Sequence, residues 1–169
     1  MSELLIQLTR RADGGAVLRC VRADGSATWQ RHEGRQAAFF PLHDLTHYAV
    51  ETVLGCRRGF FGLVAEGWGI EDTGGKGSRG PLPPEAVVVE HVVGYLDVER
   101  ATGAVWSAAE FAEQLALAGA APGAELAARL TDAALDGVRE RRLALFARWG
   151  ATAPGEALEL TFDRAAPAP

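Results

Sequence analysis

The residue types that could carry chemistry are concentrated between positions 39 and 51. His43 and His47 are two of the 4 histidines in the chain, and Glu51 follows His47 at the same interval. Side chains at this interval lie on one face of an α-helix. Two imidazoles placed in this way can bind one ion, because a neutral ring nitrogen is a common metal ligand. The spacing therefore makes His43 and His47 candidate ligands of a divalent metal, with zinc, iron and manganese as candidate ions.

A metal site would need further ligands, and the sequence offers several. His91 is the candidate third ligand, because on a predicted helix it would face the His43/His47 pair. A carboxylate could complete the shell instead, and the candidates are Asp44, Glu51, Glu66 and Glu90. Asp44 and Glu51 are also the candidate catalytic residues of a metal-dependent enzyme, which would activate water on the ion and act on a small organic substrate.

The same pattern fits a protein without a metal or an activity. His43 and His47 would then be half-buried imidazoles hydrogen-bonded to backbone, and Glu51 would be a solvated side chain. Such a structural His/Asp/Glu network would belong to a non-enzymatic binding or assembly protein. The sequence leaves both alternatives open and does not decide whether the protein is an enzyme.

A helix from about Pro41 to Leu54 is predicted to position these residues. Pro41 suits the first turn of a helix, and Gly55 is placed to end it. The apolar stripe of this helix is formed by Leu42, Leu45, Ala49 and Val53. His43 would lie in the first turn, where the helix dipole disfavours a protonated imidazole.

Both ends of the chain alternate in the manner of β-strands. Residues 3–31 predict a three-stranded meander with turns at Asp13-Gly14-Gly15 and Asp24-Gly25, and residues 156–163 predict a final strand. The predicted class is α+β, with a small antiparallel sheet packed on about five helices. His32 follows the third strand in a polar segment and is predicted to be an exposed loop histidine.

Four further helices are predicted, over residues 58–68, 84–100, 107–118 and 124–149. The clearest start is at Ser107, which has capping-box spacing to Glu110. Residues 67–84 are rich in glycine and proline, and they predict either a lid near a site or a disordered insertion, with composition favouring disorder. Within them, the stretch from Gly74 to Gly80 is predicted to be the most mobile internal segment.

Size and composition restrict the partners. The 169 residues predict one domain over 1–164 with a frayed tail at 165–169, and the net charge of −5 argues against a nucleic-acid partner. There is no apolar run of about 20 residues and no signal core after Met1, and the two cysteines have no redox or metal spacing. We expect a cytoplasmic protein with no membrane partner, with a small-molecule ligand as the candidate partner and a homo-oligomer left open.

The run His43-Asp44-Leu45-Thr46-His47 resembles the His-Asp-x-x-His motif of a ubiquinone-biosynthesis family. That family is helical, is thought to bind zinc and is implicated in oxidative decarboxylation of a quinone precursor. The resemblance covers five residues and implies zinc ligation by His43 and His47. The downstream glutamate of the family falls on Gly59 here, and the predicted meander is a second departure, so the activity is not carried over.

A wider stretch, residues 43–51 with 59–68, resembles a small family of uncharacterised bacterial proteins, and this resemblance implies no function. The His-Glu-x-x-His metalloproteases offer a further comparison. Asp44 stands where those enzymes have their catalytic glutamate, and it is one methylene shorter. A shorter carboxylate is a poor base for metal-bound water, which argues against proteolysis.

Overall fold

A computed structural model describes residues 3–166 of the chain. Both ends contribute to one 4-stranded antiparallel sheet of order β3-β2-β1-β4. The strands are β1 (Glu3–Arg10), β2 (Ala16–Arg22), β3 (Ala27–His32) and β4 (Ala157–Asp163). The central strand β1 pairs with β4, so that Leu4 lies opposite Phe162 and Ile6 lies opposite Leu160. The predicted meander and its C-terminal partner strand are confirmed.

Six α-helices and a short 3₁₀ helix lie between β3 and β4 in the described part of the chain. They are α1 (Gln36–Val53), α2 (Phe60–Glu66), the 3₁₀ helix (Ile70–Gly74), α3 (Pro84–Thr102), α4 (Ala108–Leu117), α5 (Ala124–Arg129) and α6 (Asp132–Ala151). The helices and the antiparallel sheet confirm the α+β class. No helix among residues 3–166 combines the length and the apolar character that a membrane span requires.

The sheet packs one face against the helices. Alternate strand residues such as Leu4, Ile6 and Leu18 are at most 2% exposed, and they belong to the same core cluster as Leu45 and Val50 of α1. Burial of this apolar surface is the main force that holds α1 against the sheet. The polar row of α1 is therefore carried by a helix that the core fixes in place.

Helix α1 begins at Gln36, and Pro41 lies inside it. The prediction that Pro41 starts the helix and that His43 lies in the first turn is wrong. Ala37 and Ala38 are strong helix formers, and Phe40 stacks on His32 with ring centroids 5.1 Å apart, so tertiary contacts and local propensity extend the helix past the proline. The dipole argument for a neutral His43 does not apply.

The predicted single helix over 124–149 is divided into α5 and α6. Leu130 leaves the helical region with ψ 78°, and the side chain of Thr131 accepts a hydrogen bond from the N–H of Ala134, which caps α6. Apolar spacing continues across the break, which is why periodicity did not reveal it. The predicted capping box at α4 is confirmed, with reciprocal bonds between Ser107 and Glu110.

Residues 67–84 adopt local structure in the form of the 3₁₀ helix and its flanking turns. An oxygen of Asp72 accepts the backbone N–H of Ser78 at 3.1 Å, which connects the 3₁₀ helix to the glycine-rich stretch that follows it. The segment also lines a cavity described below, as the lid alternative expects. The mobility of Gly74–Gly80 stays a prediction. Of the predicted frayed tail, residues 167–169 lie outside the described residues.

Candidate metal centre

Three ligand-type side chains converge from α1 and α3. Each of His43, His47 and Glu90 offers one ligand atom, and these atoms lie within 4.8 Å of one another. Nε2 of His47 and Oε1 of Glu90 are 3.4 Å apart. Ligands that each lie about 2 Å from a tetrahedral zinc ion are separated by about 3–4 Å, so small side-chain movements would suffice to coordinate one ion. The three residues form a His/His/Glu group capable of metal binding.

The imidazole of His43 is oriented by a carboxylate on α3. Its Nδ1 donates a hydrogen bond to Oδ2 of Asp97 at 2.7 Å. The Asp97 side chain is 10% exposed, and its other oxygen lies 3.6 Å from Arg100. Because Nδ1 carries the hydrogen, Nε2 of a neutral ring presents its lone pair, which is the arrangement that carboxylates behind metal-bound histidines produce.

The imidazole of His47 has a carboxylate on each side. Its side chain is 2% exposed, with Nδ1 3.5 Å from Oε1 of Glu51. That is an ion-pair distance without hydrogen-bond geometry, and Nδ1 has no hydrogen-bond partner among the described residues. Nε2 faces Glu90 on the opposite side. His47 therefore presents Nε2 to the candidate metal position and Nδ1 to Glu51.

Glu51 is held by the start of α2. Its two carboxylate oxygens accept the backbone N–H groups of Phe61 at 3.1 Å and Gly62 at 3.0 Å. A Cβ on Gly59 would lie 2.5 Å from the carboxyl carbon of Glu51, so only glycine allows this close approach. Glu51 is 1% exposed and lies next to Nδ1 of His47 at 3.5 Å. The expectation of a solvated Glu51, made for the structural alternative, is wrong.

The charges in this cluster shift one another. Burial alone would lower the pKa of His47, but Glu90 and Glu51 together raise it to about 10. Burial works against ionisation of Glu90 and is the largest single influence, but the charge and hydrogen bond of His47, together with the charges of His43 and His91, outweigh it and lower the Glu90 pKa. For Glu51, burial dominates and raises the pKa despite His47 and the two backbone N–H groups. Without an ion, the cluster holds a proton on His47 between two acidic side chains.

His32 joins the site from the sheet. Its ring is buried at the end of β3, and its Nε2 donates to Oδ2 of Asp44 at 3.0 Å. The prediction of an exposed loop histidine is wrong, because β3 continues to His32 and its alternation turns Thr28 and His32 toward the helices. The sequence could have predicted this if the alternation of the third strand had been continued by one residue, from Arg31 to His32. Asp44 is consequently a buried partner of His32.

A cavity of about 410 Å³ adjoins the His/His/Glu group. Its walls come from β3, α1, α2, α3 and the segment between α2 and α3. The lining residues are Gln30, Phe40, His43, Asp44, His47, Phe60, Ile70, Glu71, Thr73, Gly74, Leu82 and Glu90. An ion held by the three ligand atoms would therefore face a space large enough for a small organic molecule.

Two candidates from the sequence take other positions. The ring of His91 packs beside Tyr95 with centroids 6.0 Å apart, and the structure does not bring it into the ligand group. Glu66 is engaged by Arg58 and Arg164, each at 2.8 Å. Asp97 was not anticipated, because no spacing in the sequence relates it to His43.

Comparison with known proteins does not indicate a function, so the functional argument rests on the geometry of the site. Neither a family model, nor a curated protein, nor a solved structure matches the chain.

Proposed function

We propose that the protein is a metal-dependent enzyme whose divalent ion is bound by His43, His47 and Glu90 and whose small organic substrate enters the adjoining cavity. One observation carries the proposal. Nδ1 of His43 donates a hydrogen bond to Asp97 at 2.7 Å, Nδ1 of His47 faces Glu51 at 3.5 Å without a hydrogen bond, and the candidate ligand atoms converge within 4.8 Å. This supports metal binding because a carboxylate that accepts the Nδ1 hydrogen of a histidine directs the Nε2 lone pair toward an ion, as Asp97 does for His43.

The ligand set favours a catalytic ion over a structural one. Structural zinc sites have four protein ligands, whereas catalytic sites keep a position for water or substrate. Two histidines with one carboxylate are found in zinc hydrolases and in iron(II) oxygenases, so zinc and iron lead, with manganese as a third candidate. The ion would supply an activated water or polarise a bound carbonyl oxygen. The cavity contact of all three residues supports an open position on the substrate side.

The neighbouring carboxylates receive different roles. Glu51 positions His47, since it is buried behind the ring and bound to two backbone N–H groups. Asp44 lines the cavity and has one oxygen bonded to His32, which leaves its other oxygen for a proton or a substrate group. We assign Asp44 as the candidate proton acceptor for a group of the bound substrate, since its short side chain suits metal-bound water poorly, and Glu51 as a positioning residue.

The direct test is metal content of protein purified without an affinity tag. We expect about one ion per chain in the parent protein and loss of the ion in His47→Ala and in Glu90→Gln. His91→Ala is the matched control, because it removes a neighbouring imidazole that lies outside the group. Equal metal content in the parent and in His47→Ala, after reconstitution with zinc, iron(II) or manganese, would refute the proposal.

A second candidate is a binding or assembly protein in which the network is structural. One observation favours it: His32, His43 and His47 each already face a carboxylate, so charge pairing alone could hold them. In that case His43→Ala and His47→Ala each lower stability by about 1–3 kcal/mol through unpaired buried groups, whatever metal is present. Under the metal hypothesis, added ion raises the melting temperature of the parent and leaves that of both variants unchanged.

A further inference from the structure

The cavity beside the His/His/Glu group is acidic. Asp44, Glu71 and Glu90 line it, and no lysine or arginine of residues 3–166 does so. We propose that it selects small organic cations, amine-bearing molecules above all, over carboxylates and phosphates. This inference rests on the proposed metal site and specifies its substrate class.

The acidic character persists when an ion is bound. A divalent ion would be offset in part by Glu90, its own ligand. Asp97 behind His43 is itself paired with Arg100, and burial disfavours the charged form of Glu51, so neither is counted here. Asp44 and Glu71 add negative charge on the cavity side. A substrate with a negative group would meet these carboxylates, whereas a positive group would be attracted by them.

Glu71 is the carboxylate best placed to bind such a group. It is exposed at the start of the 3₁₀ helix, and no arginine or lysine of the described residues forms an ion pair with it. Its carboxylate folds over Gly69, where a Cβ would lie 2.5 Å from Oε1 of Glu71. The glycine thus leaves room for the carboxylate of Glu71, a residue that lines the cavity.

The remaining walls suit the body of an organic amine. Phe40 and Phe60 provide aromatic rings, and Ile70 and Leu82 provide aliphatic surface. Aromatic faces attract cations, and the aliphatic residues cover apolar carbon. A volume of about 410 Å³ lies toward the small end of the usual range for ligand pockets, about 300–1,000 Å³. The cavity therefore fits one compact, partly apolar amine next to the ion.

The test uses three hydroxamates of matched length, because a hydroxamate binds a metal ion directly. The probes are hexanohydroxamic acid, its 6-amino derivative and adipic monohydroxamic acid, titrated calorimetrically into metal-loaded protein at low salt. We expect the amine to bind about tenfold more tightly than the carboxylate, with the neutral probe between them. Glu71→Gln should remove most of this difference, and Glu71→Lys should reverse it. Glu113→Gln, an equal charge change on α4 away from the cavity, should leave the order unchanged.

Metal content is measured on the same samples, which separates two failures. Metal-loaded protein that binds the carboxylate as tightly as the amine, or a preference unaffected by Glu71→Lys, overturns the cation preference alone. Protein that takes up no metal overturns the proposed function, and this inference with it.

Discussion

Replacing Gly59 with alanine should disable the support behind His47 without touching a candidate ligand. The new Cβ would lie 2.5 Å from Cδ and 2.8 Å from Cγ of Glu51, and that carboxylate is too deeply buried to move into solvent without repacking. The backbone of Gly59, with φ −78° and ψ −159°, is open to alanine, so the effect is steric.

The magnitude follows from the bonds that Glu51 would lose. Its oxygens accept two backbone N–H groups, at 3.1 and 3.0 Å, and hydrogen bonds to a charged group contribute about 1.5–3 kcal/mol each. We expect Gly59→Ala to lower the free energy of unfolding by about 3 kcal/mol, which corresponds to about 6–12 °C in melting temperature for a chain of this size. Displacement of the carboxylate behind His47 should also weaken metal binding by about 10–100-fold.

Denaturant unfolding and metal titration measure the two effects. Gly94→Ala is the matched control: within α3 its added Cβ meets no heavy atom within 4 Å beyond the adjoining residues and helix backbone, so it should raise stability by about 0.5–1 kcal/mol. The cycle with Glu51→Ala is the stricter test. In that background the clash is absent, and Gly59→Ala should cost less than about 0.5 kcal/mol. Full additivity of the two changes would refute the reasoning.

Further outcomes follow from other parts of the structure. Nearby carboxylates raise the pKa of His47 to about 10, so the ring is protonated at pH 8 in the metal-free protein. Metal binding at pH 8 should therefore release about one proton, which calorimetry in buffers of different ionisation enthalpy measures. A proton release near zero would show that the ring was already neutral. Burial raises the pKa of Cys20 to about 12, so its thiol should resist alkylation at pH 8 in the native state and react after denaturation. Thr131→Ala should lower the free energy of unfolding in urea by about 1 kcal/mol, because the α6 cap is lost. An unchanged urea midpoint would show that the cap does not contribute to stability. Hydrogen exchange should be fastest at Gly74–Gly80, and strong protection there would show that tertiary contacts outweigh composition.

The elements set by local pattern were predictable from the sequence. Alternation of apolar and polar residues at both ends of the chain predicts the four strands. The Ser107/Glu110 spacing predicts the start of α4, because the two residues that form this cap are only three positions apart. The start of α1 was misplaced because a proline inside a helix is tolerated only when surrounding packing compensates. The residues next to Pro41 in the sequence do not reveal the packing of Phe40 on His32 that compensates for it.

Of the candidate site, the sequence predicted the two ligands on α1 but not which residue of α3 joins them. The spacing of His43 and His47 places both on one face of α1, but the choice between Glu90 and His91 depends on the rotation of α3 about its axis. Adjacent helical residues differ by about 100° in direction, so a modest rotation exchanges the two. The structure turns Glu90 toward the pair and His91 toward Tyr95. Asp97 belongs to the same problem, because its contact with His43 spans 54 positions of sequence.

The cavity wall and the candidate ligands belong to different segments of the chain, which has a consequence for the proposed enzyme. The segment between α2 and α3 contributes Ile70, Glu71, Thr73, Gly74 and Leu82 to the wall, while the candidate ligands all belong to α1 and α3. Opening of that wall would break no bond between protein and ion. In the proposed enzyme, passage of molecules into the cavity would therefore be separable from retention of the ion, and the wall could diverge in sequence to admit new molecules without a change in the candidate ligands.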